Sequence, residues 1–294
     1  MKRFSVVCAA LCFVAGSVFA QQNYWNDRLI RAAQDGDMAA LEQALDNGAN
    51  VNYVFGTGRT ALMEAAYKQN VQMVRVLLSR YAANPSQPNE NKNESALLVA
   101  AGVDKNNTDV LRLLLEYGAN VNEADNQKMT ALMYAAQSGN LDNVVFLLDN
   151  GANVQATNNN GQDALILAVV KQKSNVVTKL LDYFPNFSLC DNAKKTAFIY
   201  AVEKQDTGMV RIFLRSSRFD VNKPSDTGVP PLLQAIQDKL SYTIIELIVN
   251  SSDFAGARDM NGRNVAQYVN MYDRNNTQLR NLLVSKGVDV NVTW

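Results

Sequence analysis

Four carboxylates, Asp125, Asp191, Asp226 and Asp259, fall in or near segments rich in asparagine and glycine. Paired carboxylates could divide the work of a general acid and a general base. The groups that usually complete such chemistry are missing. The chain has no histidine in 294 residues, so neither a Ser-His-Asp nor a Cys-His arrangement can be built, nor a His-based zinc site. Of its three cysteines, Cys8 and Cys12 fall in the first twenty residues, which leaves Cys190 without a disulfide partner or a thiolate cluster. A lone thiol in such a segment reads as a small hydrophobe. No phosphate-cradling glycine motif follows a strand pattern. The aspartates are therefore expected to brace turns through backbone hydrogen bonds. No catalytic residue, metal or cofactor is expected.

What positions these residues is a repeat. T-A-L-M-E-A-A-Y (Thr60 to Tyr67) returns as S-A-L-L-V-A-A-G, T-A-L-M-Y-A-A-Q, D-A-L-I-L-A-V-V, T-A-F-I-Y-A-V-E and P-P-L-L-Q-A-I-Q. With weaker copies at both ends, the starts are 27, 60, 95, 130, 163, 196, 230 and 264. A period of this length means stacked supersecondary units, each leaning on its neighbours. In the copy at Thr130, the hydroxyl can cap a helix whose apolar stripe is Leu132, Met133, Ala135 and Ala136. Ser138-Gly139-Asn140 breaks it. Leu141, Val144, Val145, Leu147 and Leu148 have the i, i+3, i+4 spacing of a second helix, and Gly151 suits its left-handed end. An Asn- and Gly-rich hairpin then leads to the next copy.

Helix, turn, helix, glycine and hairpin at this period resemble the ankyrin repeat. The T-A-L copies carry the likeness together with G-A-N-V-N (Gly48 to Asn52, Gly118 to Asn122), G-A-N-V-Q (Gly151 to Gln155), G-V-D-V-N (Gly287 to Asn291) and N-G-R-N-V-A-Q-Y-V (Asn261 to Val269). It implies an all-α solenoid of about eight helix-turn-helix units with β-hairpin loops, over residues 21–294. The chain departs from the family in lacking its helix-starting histidine. Ile30, Met63, Leu98, Met133, Ile166, Ile199, Leu233 and Gln267 stand there instead, so packing is expected to replace the histidine's links between hairpins. Tyr81 and Phe184 stand where the turn glycine is usual.

The resemblance also implies a concave groove lined by hairpin tips and the exposed face of the inner helices. Residues falling there are Tyr53, Phe55, Tyr67, Lys68, Lys128, Gln137, Asn159, Lys171, Lys194 and Lys204, and these are the candidate partner-binding residues. Tyr53, Phe55 and Tyr67 are expected to cluster at the N-terminal end, where exposed aromatics would make a binding hot spot. Tyr134, Tyr200 and Tyr268 share another register and read as packing between repeats. From Lys171 to Lys223 basic residues outnumber acidic ones two to one. This would favour an acidic partner if the charges lie in the groove, and only solvate the outer face if they do not.

The first twenty residues have a basic start (Lys2, Arg3), an apolar run and a small-residue end at Val18-Phe19-Ala20. They read as a cleaved signal peptide, which makes the expected location the periplasm, with secretion as the alternative. Stable membrane insertion is not expected after cleavage. Charge is balanced at 28 basic and 28 acidic residues, which removes the warrant for general nucleic-acid binding. The expected function is a non-enzymatic, monomeric module of bacterial origin that binds another protein in a scaffolding, protective or toxin-neutralising role. A secreted effector acting on a host or rival-cell protein is one alternative, and a small-molecule or glycan binder using the aromatic cluster is another. Trp294 either folds back on the last helices or docks on a partner.

Overall fold

The computed structural model describes residues 21–291, apart from Phe55, Thr57, Asn106, Asn107, Phe184 and Ser252, with Ser251 described by its backbone alone. The expected leader at 1–20, Phe55, Phe184 and Trp294 lie outside the described residues. The remainder is helical, with eight helix pairs from α1 (21–35) and α2 (Met38–Asp46) to α15 (Val265–Tyr272) and α16 (Thr277–Ser285).

The first helices of the next six pairs are α3 (Ala61–Tyr67), α5 (Ala96–Ala101), α7 (Ala131–Ser138), α9 (Ala164–Val170), α11 (Ala197–Glu203) and α13 (Pro231–Gln237). Most start where a cap was expected. Thr60, Ser95, Asp163, Thr196 and Asn264 each accept the backbone N–H three residues on. Such caps contribute about 1 kcal/mol each by satisfying an orphan donor. Pro230 has no side chain to offer, and Pro231 opens α13 where its missing N–H costs nothing. These helices are far too short to persist alone. They are held by burial on nearly every side: each residue from Ala61 to Ala66 and from Ala96 to Ala101 is buried.

The second helices are α4 (Val71–Ser79), α6 (Asp109–Glu116), α8 (Leu141–Asp149), α10 (Ser174–Leu180), α12 (Thr207–Arg215) and α14 (Tyr242–Ser251). Each is apolar on one side; α4 buries Met73, Val74, Leu77 and Leu78. Removing one such leucine side chain costs about 2–5 kcal/mol. The described residues form two compact units. One runs to Ala131 and includes Asp149–Ala152; the other holds Leu132–Leu148 and residues from Asn153 onward. In the first, α3 packs on α5 and α4 on α6. In the second, α9, α11, α13 and α15 pack in series, as do α10, α12, α14 and α16.

Packing does fill the positions of the absent histidine, for the seven apolar replacements are all buried, while Gln267 closes a capping box with Asn264. Links between repeats are made as well, by asparagine. The first Asn of each G-A-N-V-N segment folds a local turn: Asn50 accepts the Asn52 N–H and Asn120 the Asn122 N–H. The second reaches the next repeat, where Asn52 accepts the Asn84 N–H at 2.8 Å and the Asn122 amide donates to the Gly151 carbonyl at 3.1 Å. Asn222 donates likewise to Asp253, at 2.6 Å. After α4, where the usual glycine is replaced by Tyr81, the left-handed residue shifts one place to Ala82, at φ 50°. The hairpin loops are tight turns rather than ladders. Among the described residues their only β pairing is an isolated antiparallel bridge between Ala124 and Thr130.

Candidate functional site

The hairpin tips are built around one buried bracing side chain. Asp125 Oδ1 accepts the N–H groups of Gln127 and Met129, both at 2.8 Å. Asp191 Oδ1 does the same for Ala193 and Lys195, at 2.9 and 3.1 Å, and Asp259 Oδ1 for Asn261 and Arg263, at 2.9 and 2.8 Å. Three of the four aspartates thus brace turns, as expected. Asp226 does not. Ser225 holds that position, and the Asp226 carboxylate accepts the Cys190 N–H at 3.3 Å. Cys190 is half-buried in its hairpin segment, with its thiol beside the Ser188 carbonyl.

A buried carboxylate needs donors for both oxygens. Tyr200 donates to Asp191 Oδ2 at 2.6 Å and Tyr268 to Asp259 Oδ2 at 3.1 Å. Two tyrosines of the register read as packing between repeats, Tyr200 and Tyr268, thus also brace their own repeat's hairpin through the hydroxyl. Burial and then the bond to the aspartate push both phenols up to about 12, so neither ionises near neutral pH and neither can serve there as a base.

The residue just before the inner-helix cap builds the most organised surface groups. Arg59 lies 5.1 Å over the Tyr67 ring and 3.8 Å from the Glu64 carboxylate, which in turn accepts from Gln34 of the preceding repeat at 3.3 Å. Lys195, in the same register, pairs with Glu203 at 2.7 Å over the Tyr200 ring. Arg263 repeats the device with Asp259 at 2.6 Å and Tyr268. The pattern could be found in the sequence: basic residues at 59, 195 and 263 each precede a cap. Neighbouring tips are tied by backbone bonds, from Asn126 to Lys92, Asn192 to Asn160, Asp226 to Ser188 and Met260 to Gly228. Each row of tips is therefore a pre-set surface.

Tyr67 and Lys68 are exposed at the end of α3, and Tyr67 remains 48% exposed with Arg59 on one face. Tyr53 is half-buried and makes no ring contact with Tyr67 among the described residues; Arg59 takes that neighbour position instead. Gln137 is half-buried near the end of α7. Lys128, Asn159 and Lys194 are exposed on hairpin tips, and Lys171 and Lys204 are exposed caps of α9 and α11. Lys194 and Lys204 flank the Lys195–Glu203 pair in sequence. Sequence reasoning missed Arg59 and Glu64.

A family model described as ankyrin repeats (3 copies) matches residues 29–125, 81–158, 103–189 and 150–225, more than half of the chain. The chain belongs to the ankyrin-repeat family. Such repeats are typically non-enzymatic modules that mediate protein–protein interaction. Among characterised relatives, the ankyrin repeat, SAM and basic leucine zipper domain-containing protein 1 of Equus caballus is 37% identical over 115 residues, 38% of this chain and 23% of the relative. The Loxodonta africana protein of that name is 38% identical over 114 residues with the same coverage. The match thus spans under a quarter of those relatives' length. No helix among the described residues is long and apolar enough to cross a membrane.

Proposed function

We propose that this ankyrin-repeat chain is a non-enzymatic, exported binding module that captures another protein on the face made by its inner-helix ends and hairpin tips. One observation carries the reading: Tyr67 is held open to solvent by a chain of contacts through Arg59, Glu64 and Gln34. Tyrosine and arginine are the residues most used as interface anchors. Here both are fixed before a partner arrives, so little side-chain entropy remains to be lost on docking. Tyr67 faces out from a rigid scaffold, where recognition commonly resides. Residence in the periplasm, in a scaffolding, protective or toxin-neutralising role, is the setting proposed from the composition of residues 1–20.

The test is affinity capture from periplasmic extract with the wild-type chain and with Tyr67→Ala and Arg59→Ala. A stoichiometric protein retained by the wild type and lost from both variants, with helicity unchanged, is the expected result. A partner that binds all three alike would overturn the assignment of the surface. Recovery of the chain solely from the cytoplasm would overturn the proposed location.

A further inference from the structure

The second compact unit carries an uneven distribution of charge that bears on what could dock there. Lys171 and Lys204 cap α9 and α11, which pack side by side, and Lys239 follows the cap of the neighbouring α13. Lys194 is the hairpin-tip residue beside Lys195, whose ammonium reaches Glu203 at the end of α11. These four lysines are exposed, and among the described residues none of their side chains has a hydrogen bond or a carboxylate within salt-bridge reach. Most carboxylates near them are already engaged: Asp191 holds its turn and Tyr200, Asp206 caps α12, Asp226 takes the Cys190 N–H and Glu203 holds Lys195, while Asp238 is exposed beside Lys239.

We infer that the face formed by Lys171, Lys194, Lys204 and Lys239 docks an acidic segment of a protein partner, rich in aspartate or glutamate. This rests on the protein-binding reading above and names the chemistry of the partner at the other unit's surface. An extended acidic segment fits because the four charges are spread over three neighbouring repeats rather than gathered in one pocket. The wider chain, with its balanced charge, supplies no broad field for a nucleic acid.

The experiment uses the full chain and a fluorescent peptide of alternating glutamate and glycine, with binding read by anisotropy at low and at 0.15 M salt, about the physiological ionic strength. Wild type is expected to bind, more weakly as salt rises. The K171S/K194G/K204S/K239G variant, with glycine placed at the two left-handed positions, Lys194 and Lys239, is expected to bind at least about ten-fold more weakly. A control that removes outer-helix charge, K179S/R211S/R215S, should stay within about two-fold, and circular dichroism checks both folds. Absence of wild-type binding, equal losses in both variants, or tighter binding of a DNA duplex or of phosphatidylglycerol vesicles would each overturn the inference. If the cellular partner is lost on Tyr67→Ala yet kept by the lysine variant, the acidic docking face falls while the protein-binding reading stands.

Discussion

Replacing Asp163 by threonine should stabilise this protein at neutral pH, and by an amount that pH controls. Asp163 caps α9 with its Oδ1 on the Ile166 N–H at 2.8 Å, and it is only 1% exposed. Caps at the matching place elsewhere are Thr60, Ser95, Thr196 and Asn264, all uncharged. Burial pushes the Asp163 carboxyl up from 3.8 to about 6, against the opposing pull of the Ile166 and Leu165 N–H groups and its own. The folded state therefore holds this proton more tightly than the unfolded chain does. The sign follows directly: wild type gains stability as pH falls from above 6 toward 4, and the gain is absent at pH 8. At 1.36 kcal/mol per pH unit, a difference of about 2 units makes the charged cap cost up to about 3 kcal/mol at pH 8. Threonine keeps one backbone bond and gives up the charge-assisted ones, so a net gain of about 2 kcal/mol is expected. Urea denaturation of both proteins at pH 8, 6 and 4.5, with hydrogen exchange in α9 to report local opening, measures it. The gap should close toward pH 4.5. A gap that does not change with pH, or a variant less stable than wild type at pH 8, would refute the reasoning.

Tyr268→Phe removes a donor from the buried Asp259 carboxylate and should cost about 1–2 kcal/mol, read as faster hydrogen exchange in α15. Asp259 itself is held below the usual carboxylate range because hydrogen bonds from Arg263, Asn261 and Tyr268 outweigh the upward effect of burial. Its contribution should be complete above about pH 4, the unfolded value, and be lost as pH falls through the lower folded value, seen as loss of C-terminal protection in acid. Lys128→Gly relieves a residue at φ 57° and should stabilise by about 1 kcal/mol in urea titrations. Thr196→Ala removes the α11 cap and should cost about 1 kcal/mol by the same assay.

Repeat register and helix caps were legible because each rests on local rules: a hydroxyl or carboxylate before an apolar run, and a glycine after it. The brace was half legible. Asp125, Asp191 and Asp259 are each followed nine residues on by a tyrosine, whereas Asn158 and Ser225 are followed by Leu167 and Gln234. That correlation has a physical reason, because only the carboxylate leaves a second buried oxygen in need of a donor, yet it emerges only once the hydroxyl contacts are seen. Arg59 over Tyr67 was harder to read. The two are separated by eight residues across a cap, so no helical or strand period joins them, and the contact depends on how the tip folds back toward the helix end. Which lysines lack partners was not readable at all, since that depends on where every nearby carboxylate is spent.

Amide joints in place of imidazole ones give this chain an unusual indifference to acidity at its seams. A histidine bridging two repeats would change charge, and with it its choice of donor or acceptor, on crossing pH 6.5 or so. The amides of Asn52, Asn122 and Asn222 present the same donors and acceptors on either side of that value. Repeats joined this way keep these contacts through pH changes near neutrality that would alter a histidine link.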